Sequence, residues 1–373
     1  MKKNKILVIL LSVLLCGINT FSNSIRTSSI INNLNKGDKN ISASSNLKPQ
    51  ALANLPTTEK KPDLPVDKNI NIKMSFLGDC MLATTNGNSP AGSFNATAKQ
   101  KPSTYFFEKA IPFLKADDFT LADCENVFTD SPLSEVEKGY TPAFWFKSEM
   151  KNAKIFKDNS IELVTLANNH TMDYGQQGYQ DTAKALDNAG VLWTDLNKPV
   201  ILEKDGIKIG VVSLVLSQYG ATATTINQIK ELEKTTAVQI VIFHGGEQDI
   251  HTPEDWKIKA CHALIDCGAD LVVGGHPHAL QPFETYKGKH IVYSLGNFCY
   301  GGSSRPENRT IIYQEVFSFN ENHKLINQKE NIIPFYVYTG NVNNYQPAPI
   351  LDSATKGQVL SFMYQKTNQL IIK

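Results

Sequence analysis

The sequence predicts an α/β fold with much of its sheet buried. From Ile70 onward, short apolar runs alternate with longer helical stretches, the pattern of strands packed between helices. Five of those runs end in Gly, Asp, Asn or His. In open α/β sheets the ligand crevice lies outside the carboxyl ends of the strands. The composition agrees with a globular domain: 41% of the 373 residues are hydrophobic and 20% are charged, enough apolar material for a substantial core.

Taken in order, Ile70 to Leu77 reads as a strand, Tyr105 to Ala116 as a helix and Phe119 to Ala122 as a strand. Ile161 to Ala167 is a strand, and Tyr179 to Ala189 a helix stopped by Gly190. Lys208 to Leu216 follows the Asp205-Gly206 turn as a strand, and Ala237 to Phe243 is another. Trp256 to Cys267 reads as a helix ended by Gly268, with strands at Asp270 to Val273 and His290 to Ser294. Ile311 to Phe319 and Ile332 to Tyr338 are strand-like, and a last helical stretch runs from about 354 to 367. The domain is placed at 69–350, with 351–373 as a C-terminal helical segment packed on it.

The N-terminal region has a different character. Lys2, Lys3 and Lys5 precede the apolar run Ile6 to Leu15, the layout of an export signal. That run is shorter than the ~20 apolar residues of a membrane-spanning helix. Residues 1–24 are therefore read as a signal peptide or N-terminal anchor, placing the protein outside the cytoplasm, at the cell surface or secreted. Leu15 is too bulky to make Cys16 a good lipidation site. Residues 25–68, rich in Asn, Ser, Lys and Pro, read as a flexible polar linker, because such a stretch buries too little apolar surface to offset its ordering entropy.

Several classes of function are set aside. A net charge of +1 gives no electrostatic reason to expect nucleic acid as a partner. No Gly-rich phosphate loop ends in Lys-Ser or Lys-Thr, and no Gly-x-Ser-x-Gly elbow is present. Cys80, Cys124, Cys261, Cys267 and Cys299 have irregular spacing without a Cys-x-x-Cys pair. They are read mainly as small buried hydrophobes; a bridge between Cys80 and Cys124 is the one pairing considered.

The chemistry gathers at the five strand ends. They run into Gly78-Asp79, Asp123-Cys124-Glu125-Asn126, Asn168-Asn169-His170, His244-Gly245-Gly246-Glu247 and Gly274-Gly275-His276-Pro277-His278. Singly, an Asp after a strand is usually a turn residue or helix cap, and a lone His is usually structural. Five such coincidences at one type of position point instead to a shared site. In His276-Pro277-His278, alternate residues of an extended stretch can face one pocket. Carboxylates, an amide and imidazoles without a thiolate suit Mn(II), Fe(II) or Zn(II) better than Ca(II). The candidates suffice for one or two ions, and two ions about 4 Å apart can clamp a phosphoryl group. His170, beside Asn169, is placed to donate a proton to a leaving oxygen. Asp123 is the second catalytic candidate.

The same residues carry a resemblance. The order Gly78-Asp79, Asp123-x-Glu125, Asn168-Asn169-His170, His244-x-Gly246 and Gly275-His276-Pro277-His278 resembles the CapA (PgsA) capsule-synthesis proteins. These are poly-γ-glutamate capsule components related to calcineurin-like metallophosphatases. LANNHTMDYG at 166–175, LIDCGADLVVGGHPHALQPFE at 264–284 and YSLGNF at 293–298 extend the match over roughly residues 70–350. The resemblance implies a metallophosphatase-like four-layer α/β/β/α sandwich with mixed sheets. It also implies Asp79, Glu125, Asn169, His244, His276 and His278 as metal ligands, with His170 as general acid. Calcineurin-like phosphatases usually follow the first Asp with x-His, where this chain has Cys80-Met81. Many relatives have Asn-x-Glu where this chain has Asp123-Cys124-Glu125, and Gln248 stands where a Glu is common, with Glu247 before it.

The function implied is making, anchoring or exporting a γ-linked glutamate polymer, through a metal-dependent phosphoesterase-like hydrolase site. The implied partners are an anionic polymer or phosphoester substrate and membrane-bound polymer-synthesis subunits. Two alternatives stand beside it: a non-catalytic metal-binding or scaffold subunit of a surface-polymer complex, and a general secreted metallophosphoesterase.

Overall fold

The computed structural model describes residues 69–365. The signal or anchor reading of 1–24, the linker reading of 25–68 and the end of the 351–373 segment lie outside those residues. Strand Ile70–Met81 turns Ile72, Met74 and Phe76 to one side, as the two-residue period of a strand requires. The buried cluster they join takes Leu121 and Leu163 from neighbouring strands, and Val211, Ile240, Ile242 and Val273 from a second sheet. The two sheets therefore meet face to face across an apolar layer.

In the first sheet, Ile70–Met81 runs parallel to Phe119–Cys124, which leads through Leu163–Thr165 to Leu192–Thr194. On its other flank it pairs antiparallel with Arg309–Phe319, followed by Leu325–Tyr336 and Ala348–Pro349. Asn297–Tyr300 joins its end in parallel. The second sheet has the order Leu280–Tyr286, Lys289–Leu295, Leu271–Gly275, Val238–His244, Ile207–Val215, Val200–Lys204. Its four inner strands are parallel and both edges antiparallel.

Helices cover the two outer faces. Leu77, Ala122 and Val164 of the first sheet pack with Phe94, Phe156 and Leu186 from helices Phe94–Gln100, Lys154–Asp158 and Gly175–Ala189. Val212, Val241 and Val272 of the second pack with Ile229, Leu232 and Leu264 from helices Ala223–Glu233 and Asp255–Asp266. The result is the four-layer α/β/β/α sandwich with mixed sheets. Helix Ser353–Met363 adds Val359 and Met363 to the inter-sheet core. Among the described residues no helix is long and apolar enough to cross a membrane.

Several elements differ from the sequence reading. The helix expected over Tyr105 to Ala116 is a 3-10 turn at Ser103–Tyr105 and one short helix at Ile111–Leu114. Pro112 explains the break: it lacks an amide N–H and its ring clashes with the carbonyl four residues back, so it suits only a helix's first turn. Strand Leu280–Tyr286 is hidden in the sequence by Pro282; it is an edge strand, where proline is tolerated. Leu325–Tyr336 starts earlier than its apolar half suggests, since its first half is polar and largely exposed. Helix Gly175–Ala189 does stop at Gly190, which takes φ +70° and donates its N–H to the Leu186 carbonyl.

Candidate metal centre

Parallel strands of both sheets end on the same edge of the sandwich, and all five motifs meet there. Asp79 and Asp123 are register partners on adjacent strands. His244 ends a strand of the facing sheet, and His276 follows the strand beside it. Close approach between the sheets requires Gly275, because a Cβ there would sit 2.3 Å from Asp79 Oδ1. His276 donates its backbone N–H to Asp79 Oδ2 at 3.1 Å.

The side chains converge tightly. His244 Nδ1 lies 2.7 Å from Asp123 Oδ2, and His244 Nε2 lies 2.8 Å from both Asn169 Oδ1 and His276 Nδ1. His278 Nδ1 is 3.0 Å from Asp79 Oδ2. Asn168 donates to Asp123 Oδ1 at 2.8 Å and to the Cys124 carbonyl at 2.9 Å. Glu125 stands at the centre, its Oε1 at 3.6 Å from His244 Nε2, 3.8 Å from His278 Nε2 and 4.0 Å from His170 Nε2. The His-Pro-His stretch is a turn, not the extended segment the sequence suggests: His276 has φ +97° and His278 φ +55°. Such left-handed backbone costs about 1–3 kcal/mol per residue and concentrates at functional sites.

Electrostatics treat the buried carboxylates of the cluster differently. Burial and the neighbouring Asp79 charge push Asp123 well above the usual carboxylate range. Glu125 is raised by burial and then by Asp79, Asp123 and Asp173. Burial also opposes ionisation of Asp79, but the hydrogen bond and charge of His278, with His244, outweigh it and hold Asp79 low. His244 is pushed down to about 4, chiefly by burial, and His276 to about 2 by burial and by the other two histidines.

The residues fit a divalent cation. Neither oxygen of Glu125, a fully buried residue, has a hydrogen-bond partner among the described residues. With Nδ1 protonated toward Asp123, His244 turns an Nε2 lone pair toward Asn169 Oδ1, itself an acceptor. With that tautomer, a cation between the two atoms, 2.8 Å apart, would satisfy both. A His donating its second ring nitrogen to a carboxylate is the usual support of a metal ligand. Donor atoms of Glu125, His244 and His276, of Asp79, Glu125 and His278, and of Asp79, Asp123 and His244 each lie within 4.8 Å of one another. Two ligands each ~2.0–2.2 Å from one ion fall in that range.

Residues 73–301 match the family described as bacterial capsule synthesis protein PGA_cap. The chain belongs to that family. It is 27% identical over 315 residues to the PGA biosynthesis protein CapA of Bacillus subtilis, spanning 78% of this chain and 76% of the relative. It is 25% identical over 331 residues to the capsule biosynthesis protein CapA of Bacillus anthracis, spanning 81% and 75%. Among solved structures, a hypothetical protein of Thermus thermophilus superposes with a TM-score of 0.43 at 12% identity, over 70% of this chain and 99% of that one.

Within the PGA_cap domain all eight sequence-selected residues lie in one cluster. Asn169 is exposed at its mouth, while Asp79, Asp123, Glu125, His170 and His244 are buried. Met81, at the position where a phosphatase histidine is expected, is fully buried in an apolar cluster with Ala83 and Phe146. Glu247 and Gln248 are exposed, and the Glu247 N–H is held by Glu254 Oε1 at 2.6 Å. Cys80 and Cys124 are both free and buried, so the bridge considered between them is not formed.

Two polar residues beside the cluster escape the sequence reading. Asp173, 1% exposed, places Oδ2 2.8 Å from His170 Nδ1 and also accepts the Phe146 N–H at 2.7 Å. Its signal is present as a His-x-x-Asp spacing that spans a single turn. Lys138 reaches Asp173 Oδ1 at 2.5 Å and the Phe144 carbonyl at 2.7 Å. No local pattern announces it, since it lies 32 positions before His170 in an irregular segment. Burial holds His170 below its ordinary range, with the Asp173 hydrogen bond acting in the opposite sense.

Proposed function

We propose that this chain is a CapA-like protein of poly-γ-glutamate capsule synthesis, acting at the cell envelope beside membrane-bound synthesis subunits, with a metal-dependent phosphoesterase-like site. The observation that carries the site reading is the buried Glu125, whose oxygens have no hydrogen-bond partner among the described residues, at the centre of an Asp/His/Asn cluster. Family membership over residues 73–301 and the names of the two Bacillus relatives support the capsule role.

In this reading Asp79, Glu125, Asn169, His244, His276 and His278 hold one or two divalent ions, Mn, Fe or Zn by donor type. A bound ion supplies Lewis acidity toward a phosphoryl oxygen and charge stabilisation in the transition state. The protein's own groups do the rest. Asp123 fixes the ring of His244 through Nδ1 and is itself fixed by Asn168. Asp173 fixes the ring of His170 through Nδ1, which leaves Nε2 facing the cluster as the atom that gives or takes a proton. Phe146, with its ring centroid 4.8 Å from that of His170, shields the imidazole on one side.

Metal content of the purified protein and turnover of phosphodiesters and of poly-γ-glutamate test this directly. Bound metal with turnover abolished by His170→Ala is the expected result; no metal under any divalent supplement overturns it. A second reading, a metal-binding scaffold subunit without turnover, is favoured by Met81, which leaves one usual ligand position apolar. Bound metal without turnover on either substrate class selects that reading.

A further inference from the structure

We propose that Lys257 is a positioning residue that sets the spacing between the His244 segment and the His276–His278 turn through one buried ammonium. The inference rests on the metal-site reading above and assigns that site a support outside its ligands. Lys257 lies on helix Asp255–Asp266 and is fully buried. Its Nζ is 2.9 Å from Glu254 Oε2 and donates to Gln281 Oε1 at 3.0 Å.

Both partners grip the chain that follows His244. Glu254 Oε1 accepts the Glu247 N–H at 2.6 Å, and Gln281 Nε2 donates to the Ile250 carbonyl at 3.0 Å. Between these two points the Asp249 N–H donates to the Pro277 carbonyl at 2.8 Å, tying this loop to the histidine turn. Gln281 lies only three positions beyond His278. The backbone also rests on the ammonium itself: a Cβ added to Gly246, at φ +113°, would fall 2.1 Å from Lys257 Nζ. One cation thus joins both ends of the loop and the start of strand Leu280–Tyr286.

The lysine is an unusual choice for this face of the helix. Ile258, Cys261 and Leu264 of the same helix are ordinary core residues, whereas a buried ammonium carries a desolvation penalty. Burial accordingly pushes the Lys257 pKa down. The hydrogen-bond fork explains the lysine, because Met or Leu would hold neither Glu254 nor Gln281.

The test is titration calorimetry of the full chain with Mn(II) or Zn(II) alone, on wild type, Lys257→Met, Gln281→Leu and Leu264→Ala. Support residues of metal ligands typically change affinity about 10–100-fold. That weakening is expected in the first two variants, with Leu264→Ala, a destabilised core control, binding as wild type does. Affinities within about twofold of wild type in the first two variants, or the same loss in Leu264→Ala, overturn the inference. If Lys257→Met does not fold, Gln281→Leu decides alone. Absence of metal binding by the wild type instead overturns the metal-site reading, and this inference with it.

Discussion

His244 and Asp123 face each other across the interface between the two sheets, Nδ1 to Oδ2 at 2.7 Å. Each comes from the end of a parallel strand of a different sheet. The bond fixes the imidazole tautomer and so decides which nitrogen looks into the cluster. Asp123→Asn keeps the shape but can present an N–H where the carboxylate accepted one. The variant is expected to bind Mn(II) or Zn(II) about 10–100-fold more weakly, read by calorimetry, with its far-UV circular dichroism unchanged.

Glu125 gives a prediction of opposite sign for the metal-free and metal-bound protein. Its two oxygens are buried without partners among the described residues, and burial with the neighbouring carboxylates opposes its ionisation. Folding without metal must therefore take up a proton or bury a charge, and a neutral amide avoids both. In chelator, Glu125→Gln is expected to melt above wild type. In excess metal the order reverses, because ligand that binds only the folded state stabilises by about 2.7 kcal/mol at a hundredfold excess over Kd. Thermal melts with and without chelator read both halves.

Gly275 tests how close the sheets must approach. Gly275→Ala puts a Cβ 2.3 Å from Asp79 Oδ1, and neither a backbone strand nor a buried carboxylate has room to yield. The expected outcome is loss of metal binding together with a lowered melting temperature. Gly288→Ala, with open space around its Cβ, is the comparison; its φ of +75° gives a backbone penalty without the clash, so its metal binding is retained.

Asp117, away from the metal cluster, predicts a pH dependence. Burial raises its pKa to about 6, against hydrogen bonds from Ser75 and Thr120. A carboxyl that binds its proton more tightly in the folded state makes stability fall as pH rises from the unfolded value, near ~4, to the folded one. Asp117→Asn is expected to flatten that part of the profile between about pH 4 and 6, measured by urea unfolding at stepped pH.

His290 and Glu315 connect the sheets on the side of the core away from the ligands. Nδ1 of His290, on the second sheet, lies 2.8 Å from Oε2 of Glu315 on the first, and Tyr313 OH donates to the same oxygen. Glu315 is fully buried. Removing His290 takes one of the two hydrogen-bond partners from that buried oxygen and leaves the tyrosine hydroxyl on it, at a cost of about 1–3 kcal/mol. His290→Ala is expected to lower the urea midpoint accordingly, and the double variant His290→Phe with Glu315→Leu to recover much of the loss.

The parallel core is legible because its strands are continuous apolar runs bounded by glycines and polar ends, as in Val238–His244 and Leu271–Gly275. The gathering of the eight selected residues is legible for the same reason, since they sit where those runs stop. Elements with weaker local signals are not. Leu280–Tyr286 carries a proline that only an edge position excuses, and Ala223–Glu233 buries just Thr225, Ile229 and Leu232. Lys138 and Lys257 are invisible for a different reason: each matters through partners that only the folded chain brings near.

The proposed ligand set has no local half that would work alone. Asp79 and His276 touch although 197 positions separate them, and the cluster closes only when strands of both sheets have docked. A metal held there is a clasp on the finished sandwich, fastening its first strand to a turn far along the chain only after everything between has folded. Loading of the proposed site would therefore report completion: a truncated or half-folded chain would stay metal-poor, and occupancy per molecule would count correctly assembled domains.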